Sequence, residues 1–336
     1  MSQVPFVTGV KRLDARFFSA CQPARAVTGG TSGTTNLTHR VIYIGWWLSD
    51  ADIPDLVSQW SKAGVTHVLF PFITQPDVTK RVMVKGSVIA SYYQLSANSR
   101  QLMKSNFILG ASYGGANAMP SPYSQIFAAG NYYAGANGPA ILAADIICLS
   151  GPDISYYDLD VEHIDDNFPQ CAQFLGEVSK ALKAGKPGCI VSHAPQTPYF
   201  TPSYGNVYSL VYQNYAPYID FFNIQYYNNG PSQTYDEIFI NGEAAVYALI
   251  QGGMNPSYIA VGKAAQAGQV TNESFVPLYI PGDNSNTMTG FVQQAYGDSR
   301  LNGWTTSGGV MVWYFNTQGQ PDADDNPSIL GYFSNI

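Results

Sequence analysis

The run ISYYDLDVEH, residues 154–163, sets acids at alternate positions between apolar ones. Strand side chains alternate with period two, so Asp158, Asp160 and Glu162 share one face while Leu159 and Val161 take the other. Seven further runs have the same length and the same β-branched or aromatic content. They are VIYIGWW (41–47), VTHVLFPF (65–72), NFILGASYGG (106–115), CIVSHAP (189–195), DFFNIQYYNN (220–229), YIAVGK (258–263) and GGVMVWYFN (308–316). Helix-forming segments stand between them: IPDLVSQWSKAG (53–64), QLMKS (101–105), CAQFLGEVSKALKAG (171–185) and GEAAVYALIQGG (242–253). The third shows apolar residues at helical spacing, Lys in its last turn and Gly just past its end. Eight strands alternating with helices, starting about 38 residues apart, predict a (β/α)8 TIM barrel over residues 39–336 with long loops at one rim. A doubly wound open sheet is the alternative. It favours a glycine-rich phosphate loop after the first strand, where this chain reads GWWLSDAD (45–52).

The 336 residues are ample for a full core. Apolar residues make up 46%, aromatics 14% with 24 Tyr, and charged residues only 12%, a mix that excludes a coiled coil or a disordered chain. Net charge is −7, unevenly spread: residues 1–40 carry +4, from Lys11, Arg12, Arg16, Arg25 and Arg40 against Asp14, and the remainder carries −11. An acidic body does not suit nucleic acid. Residues 24–38 (ARAVTGGTSGTTNLT) read as a linker, so a basic arm and linker at 1–38 are expected, with a protein partner or larger assembly as the arm's possible attachment. No apolar stretch approaches a membrane span. The first residues lack the apolar core of a secretory signal, although their Arg- and Ser-rich character is also that of a transit peptide. The compartment therefore stays open between cytoplasm, non-classical export and a larger assembly. Cys21, Cys148, Cys171 and Cys189 form no C-x-x-C pair and read as buried thiols, or as one or two disulfides.

In a barrel, chemistry belongs at the C-terminal ends of the strands. Three carboxylates converging there repel one another, and burial also disfavours charge, so at least one should hold a proton near neutrality and be able to act as a general acid. Two other readings are a solvated strand end and a divalent-cation site.

The Asp-x-Asp-x-Glu run resembles the signature of glycoside hydrolase family 18, the chitinase family, whose fold is a (β/α)8 barrel. Ser112-Tyr113-Gly114-Gly115 is similar to the family's S-x-G-G. Ala194-Pro195-Gln196-Thr197-Pro198 and Gln225-Tyr226-Tyr227-Asn228 are similar to the A-P-Q-x-P and Q-x-Y-N of hevamine-type class III chitinases. Trp313 sits where the family keeps a tryptophan under the cleaved sugar. The motifs fall in order between residues 41 and 316.

The resemblance implies hydrolysis of β-1,4-linked N-acetylglucosamine, as in chitin, or endo-β-N-acetylglucosaminidase action on a related glycan. Glu162 would protonate the glycosidic oxygen. Asp160 would stabilise the substrate's acetamido group, which attacks the anomeric carbon in place of a protein nucleophile, and Asp158 would share charge with Asp160. Tyr227 would hydrogen-bond the acetamido oxygen, helped by Gln225 and Asn228, with Trp313 as floor. Retention follows, without metal or organic cofactor. Trp46, Trp47, Phe70, Ser112 and Gln196 complete the expected sugar-binding set.

Two departures matter. Ser155 and Tyr156 replace the family's Asp-Gly, and by alternation Tyr156 faces inward, where a phenol fills space beneath the site, hydrogen-bonds Asp158 or distorts the triad. This departure supports an alternative reading, a catalytically silent glycan-binding or structural protein on the same barrel. Lys263 replaces a proline of the hevamine-type pattern and is expected at the rim, against substrate, or beside a carboxylate whose pKa it lowers.

Tyr199, Phe200 and Tyr204 either stack on sugars or pack the loop. His163 points away from Glu162, and His39, His67 and His193 lack ligand spacing. Asp322, Asp324, Asp325 and Asn326 resemble half a calcium loop, with Pro327 against it, and Asn36 begins a glycosylation sequon.

Overall fold

The computed structural model describes residues 37–84, 87–230, 232–271, 274–314 and 325–336. The basic arm up to residue 36, its sequon and the half calcium loop around 322–326 lie outside the described residues or their side chains. Of the expected linker, Leu37 is buried and Thr38 is already docked, its N–H donating to the Gly308 carbonyl at 2.9 Å.

Eight parallel strands close a barrel in sequence order, as the alternating pattern predicts. They are β1 (His39–Ile44), β2 (His67–Ile73), β3 (Ile108–Gly114), β4 (Tyr156–Asp160), β5 (Ile190–His193), β6 (Phe221–Gln225), β7 (Ile259–Ala264) and β8 (Gly309–Tyr314). Each coincides with one of the eight runs. The helices around them include α1 (Ile53–Ala63), α2 (Val88–Tyr92), α3 (Ala97–Asn106), α4 (Gly138–Ser150), α5 (Phe168–Gly185), α6 (Val207–Tyr215), α7 (Val246–Gln251), α8 (Met288–Tyr296), α9 (Asn302–Ser307) and α10 (Asp325–Asn335).

Helix α1 shows why the local sequence folds so. Ile53, Val57 and Trp60 recur at helical spacing and all are buried, Pro54 starts the helix, and Lys62 faces the carbonyl end of its dipole. Gly64 ends it at φ 87, a left-handed conformation that lets its N–H return to the Trp60 and Ser61 carbonyls. Helix α4 (GPAILAADIICLS) carried no comparable signal, because its apolar residues run all round rather than along one stripe.

Alternation divides the core in two. One set of strand residues packs outward on the helices, and the other fills the lumen with Val41, Leu69, Tyr156, Phe221, Ala260 and Met311. His39 stacks on Phe221 at 4.0 Å, and His67 meets the edges of Phe221 and Tyr156, closing the end opposite the carboxylates. Tyr156 finds room because its neighbour on β3 is Gly110, where a Cβ would lie 2.6 Å from the Tyr156 ring and 2.6 Å from Leu69. Cys148, Cys171 and Cys189 are free thiols, the last two buried. Among the described residues no helix is long and apolar enough to cross a membrane.

Burial holds three histidines neutral: His39 is lowered to about 4, and His67 and His193 to about 3. The unfolded chain binds these protons near pH 6.5, so the stability that the neutral rings contribute is whole above that pH and is lost as pH falls toward 4 and below. Urea unfolding between pH 6.5 and 4 should show this decline. His193→Phe should flatten the slope by one proton, about 1.4 kcal/mol per pH unit.

Candidate active site

Strand β4 delivers its acids in three steps of depth. Asp158 is fully enclosed and receives hydrogen bonds from around the barrel: Tyr43 Oη of β1 at 2.8 Å, Ser112 Oγ of β3 at 2.7 Å, Ser192 Oγ of β5, and Asn223 Nδ2 of β6 at 3.3 Å. Asp160, one pleat higher, accepts from Gln225 Nε2 at 2.8 Å. Glu162, just past the strand, accepts from Gln196 Nε2 at 2.9 Å. Asp160 and Glu162 line a cleft of about 470 Å³ together with Phe72, Gln225, Tyr227, Asn228 and Trp313.

The three carboxyls titrate differently because their surroundings differ. Burial raises Asp158, but four donors oppose the rise. Asp160 is driven up furthest, by burial first and then by the charges of Glu162 and Asp158, with only Gln225 opposing. Glu162 is raised by burial, with the Gln196 bond and the His163 charge pulling back. Asp160 is therefore the acid that repulsion most favours protonating, and Glu162 also holds its proton above the ordinary carboxylate range. Burial and the same three acids raise the Tyr227 phenol well above 10, so it faces the cleft as a neutral donor.

Several of the expected residues come together in the fold. Gln225, Tyr227, Asn228 and Trp313 line the cleft with Asp160 and Glu162. The Asn228 backbone is left-handed at φ 61, its N–H donates to Ser274 Oγ at 2.9 Å, and its Oδ1 accepts the Thr271 N–H at 2.8 Å. Gln196 reaches Glu162 itself.

Others are corrected. Phe70 points outward and stacks on Tyr92 at 4.8 Å, since Val68 and Phe70 hold the helix-facing parity of β2. Trp46 is buried between Trp60 and Tyr314, and Trp47 is 52% exposed and outside the cleft lining. Ser112 lies beneath the cleft, spent on Asp158. Tyr156 makes no hydrogen bond to Asp158: its hydroxyl bonds Ser192 Oγ at 2.7 Å and receives Asn223 Nδ2 at 3.0 Å, one residue removed from the acid. Lys263 is not at the rim but 1% exposed beneath the loops. Tyr199 and Phe200 pack inside, Tyr199 Oη donating to the Glu162 carbonyl. His163 bonds the Ala116 carbonyl at 2.6 Å. Among the described residues no group of three or more His, Cys, Asp or Glu could hold a metal ion.

Three site residues escaped the sequence reading. Phe72 stacks on Trp313 at 5.7 Å, because the β2–β3 register shifts between Phe70 and Ile73 and breaks strict alternation. Tyr43 and Asn223 bind Asp158 from inward positions that alternation on β1 and β6 would have flagged.

No family model and no curated protein sequence matches the chain. Solved structures do match its fold. The spore cortex-lytic enzyme SleL of Bacillus cereus aligns at a TM-score of 0.56 and 12% identity, over 91% of this chain and 76% of its own. A family GH18 chitinase from Cycas revoluta, in complex with allosamidin, gives 0.55 and 13% over 87% and 98%. The catalytic domain of a family GH18 chitinase from the fern Peteris ryukyuensis gives 0.54 and 16% over 88% and 100%. At such identities the likeness establishes a shared fold.

Gln196 favours the charged form of Glu162, so Gln196→Leu should raise the Glu162 pKa further. Carboxyl-carbon NMR titration of the two proteins measures it, and an unmoved Glu162 would show the bond to be absent in solution.

Proposed function

We propose that the chain is a glycoside hydrolase of the family 18 type, cutting β-1,4-linked N-acetylglucosamine glycans. The observation that carries this is the graded acid set of β4, with Asp160 and Glu162 opening into one cleft beside the Tyr227 phenol and the Trp313 ring. Glu162, its proton retained by burial, protonates the glycosidic oxygen as the bond to the anomeric carbon breaks. The substrate's own acetamido oxygen attacks that carbon and forms a cyclic intermediate. Tyr227 donates a hydrogen bond to the acetamido oxygen, and a carboxyl oxygen of Asp160 accepts the acetamido N–H, which orients the group for the attack. Water then opens the ring, returning a proton to Glu162 and restoring the original anomeric configuration.

Chitin is the first substrate to try, because two of the three structural neighbours described above are chitinases. Peptidoglycan is the second, because the other is a spore cortex-lytic enzyme. The silent-binding reading rested in part on Tyr156, and that phenol lies below Asp158 without entering the cleft lining.

Chitin oligosaccharides and peptidoglycan fragments, with products followed by mass spectrometry and anomers by NMR, test the proposal. Wild type should release a retained product. Glu162→Gln should lose about 10²–10⁴-fold in kcat, and Tyr227→Phe about 10²-fold. Sugar binding without turnover by folded wild type would replace the enzyme with a glycan-binding protein.

A further inference from the structure

Lys263 does nothing in the chemistry above, yet it is among the most enclosed charges described. It sits on β7 with its side chain on the helix-facing parity, between Gly262 and Ala264. Its ammonium donates three hydrogen bonds, all to backbone carbonyls of loops at the C-terminal face: Tyr226 at 2.6 Å, Ser232 at 2.7 Å and Ser274 at 2.7 Å. An ammonium has three donors and no acceptor, so three converging carbonyls satisfy it completely.

The carbonyls are not scattered. Tyr226 directly precedes Tyr227 and Asn228 of the cleft. Ser232 belongs to the same loop, and its hydroxyl also donates to the Tyr226 carbonyl at 2.8 Å. Ser274 comes from the loop after β7, and its hydroxyl takes the Asn228 N–H. One cation thus joins both loops under the two residues that face the acetamido position, and the left-handed Asn228 is gripped from the far side by Thr271 and Ser274.

We infer that Lys263 is a positioning residue for the reaction: its ammonium locks the Tyr226–Asn228 segment so that the Tyr227 hydroxyl is aimed into the cleft. The inference rests on the glycosidase reading for its consequence in catalysis, though not for the lock itself. Loss of the proton would leave two donors and turn a lone pair toward a carbonyl, which loosens the segment. Burial lowers this ammonium to about 7, with the charge of Glu237 opposing among the described residues. The lock is therefore strong below neutrality and weakens above it.

Lys263→Met removes the cation at similar length. With rates normalised to folded protein, kcat should fall about 10–100-fold while KM changes little, since a displaced donor is felt most in the transition state. A merely structural lysine would lower Tm and leave kcat per folded molecule unchanged, which would overturn the inference. The ratio of the wild-type and Lys263→Met kcat values against pH supplies the pH readout, because the titration of Glu162 is common to both and cancels. That ratio should shrink as pH rises across neutrality, when wild type loses the lock that the variant never had; a ratio independent of pH would refute the lock. Should Lys263→Met not accumulate folded, Lys263→Gln keeps two of the three donors without the charge and should show a kcat loss in the same direction at little-changed KM; an unchanged kcat would overturn the inference. If wild type neither cleaves nor binds any glycan, the glycosidase reading fails separately. The lock is then decided by amide exchange at Tyr227 and Asn228, which should quicken between pH 6 and 8 beyond the base-catalysed rise of other protected amides. An unchanged protection factor would overturn it.

Discussion

A carboxylate enclosed at the centre of a barrel is tolerable only if donors surround it, and Asp158 is that constraint here. An unpaired buried charge costs several kcal/mol, and the chain meets the demand with side chains from β1, β3, β5 and β6. Those four donors tie strands on opposite sides of the barrel to one atom group. The same donors oppose the rise that burial gives Asp158, while Asp160 above it is raised by burial first, then by the charges of Glu162 and Asp158. The reactive face of β4 is a consequence of how this buried acid is satisfied.

The layer beneath explains how a tyrosine is accommodated where the chitinase pattern has glycine. Tyr156 extends the polar network downward through Ser192 and Asn223 while its ring lies over Gly110. A large residue on one strand is matched by a missing side chain on the next, as a close-packed lumen requires. Below it, His39, His67 and Phe221 close the barrel with neutral rings. Polar chemistry is confined to the upper half of the lumen, and the lower half behaves as ordinary core.

The chitinases and the cortex-lytic enzyme that share this fold differ from the chain at more than four-fifths of aligned positions. Barrel architecture tolerates such divergence because each strand needs only the correct parity of apolar side chains, and function concentrates at the strand ends and loops. Lys263 illustrates the freedom outside the lumen: a charge occupies the strand–helix layer once three carbonyls are brought to it.

Local periodicity by itself determined the eight strands, their order, the inward set of Asp158, Asp160, Glu162 and Tyr156, and the helices α1, α3, α5 and α7. These follow from side-chain alternation, which any short stretch of chain carries within itself. Helix α4, apolar on all sides, lacked a one-sided stripe and could not be read. Register between strands is different, because it depends on residues far apart in sequence. Only the folded barrel decided that Phe72 rather than Phe70 enters the cleft, since a shift in the β2–β3 pairing reverses the parity there. Only the folded barrel brought Tyr43 and Asn223, 180 residues apart, onto one carboxylate. The place of Lys263 was likewise undecidable from sequence, because its three partners are backbone carbonyls, which every residue possesses and no sequence pattern reveals.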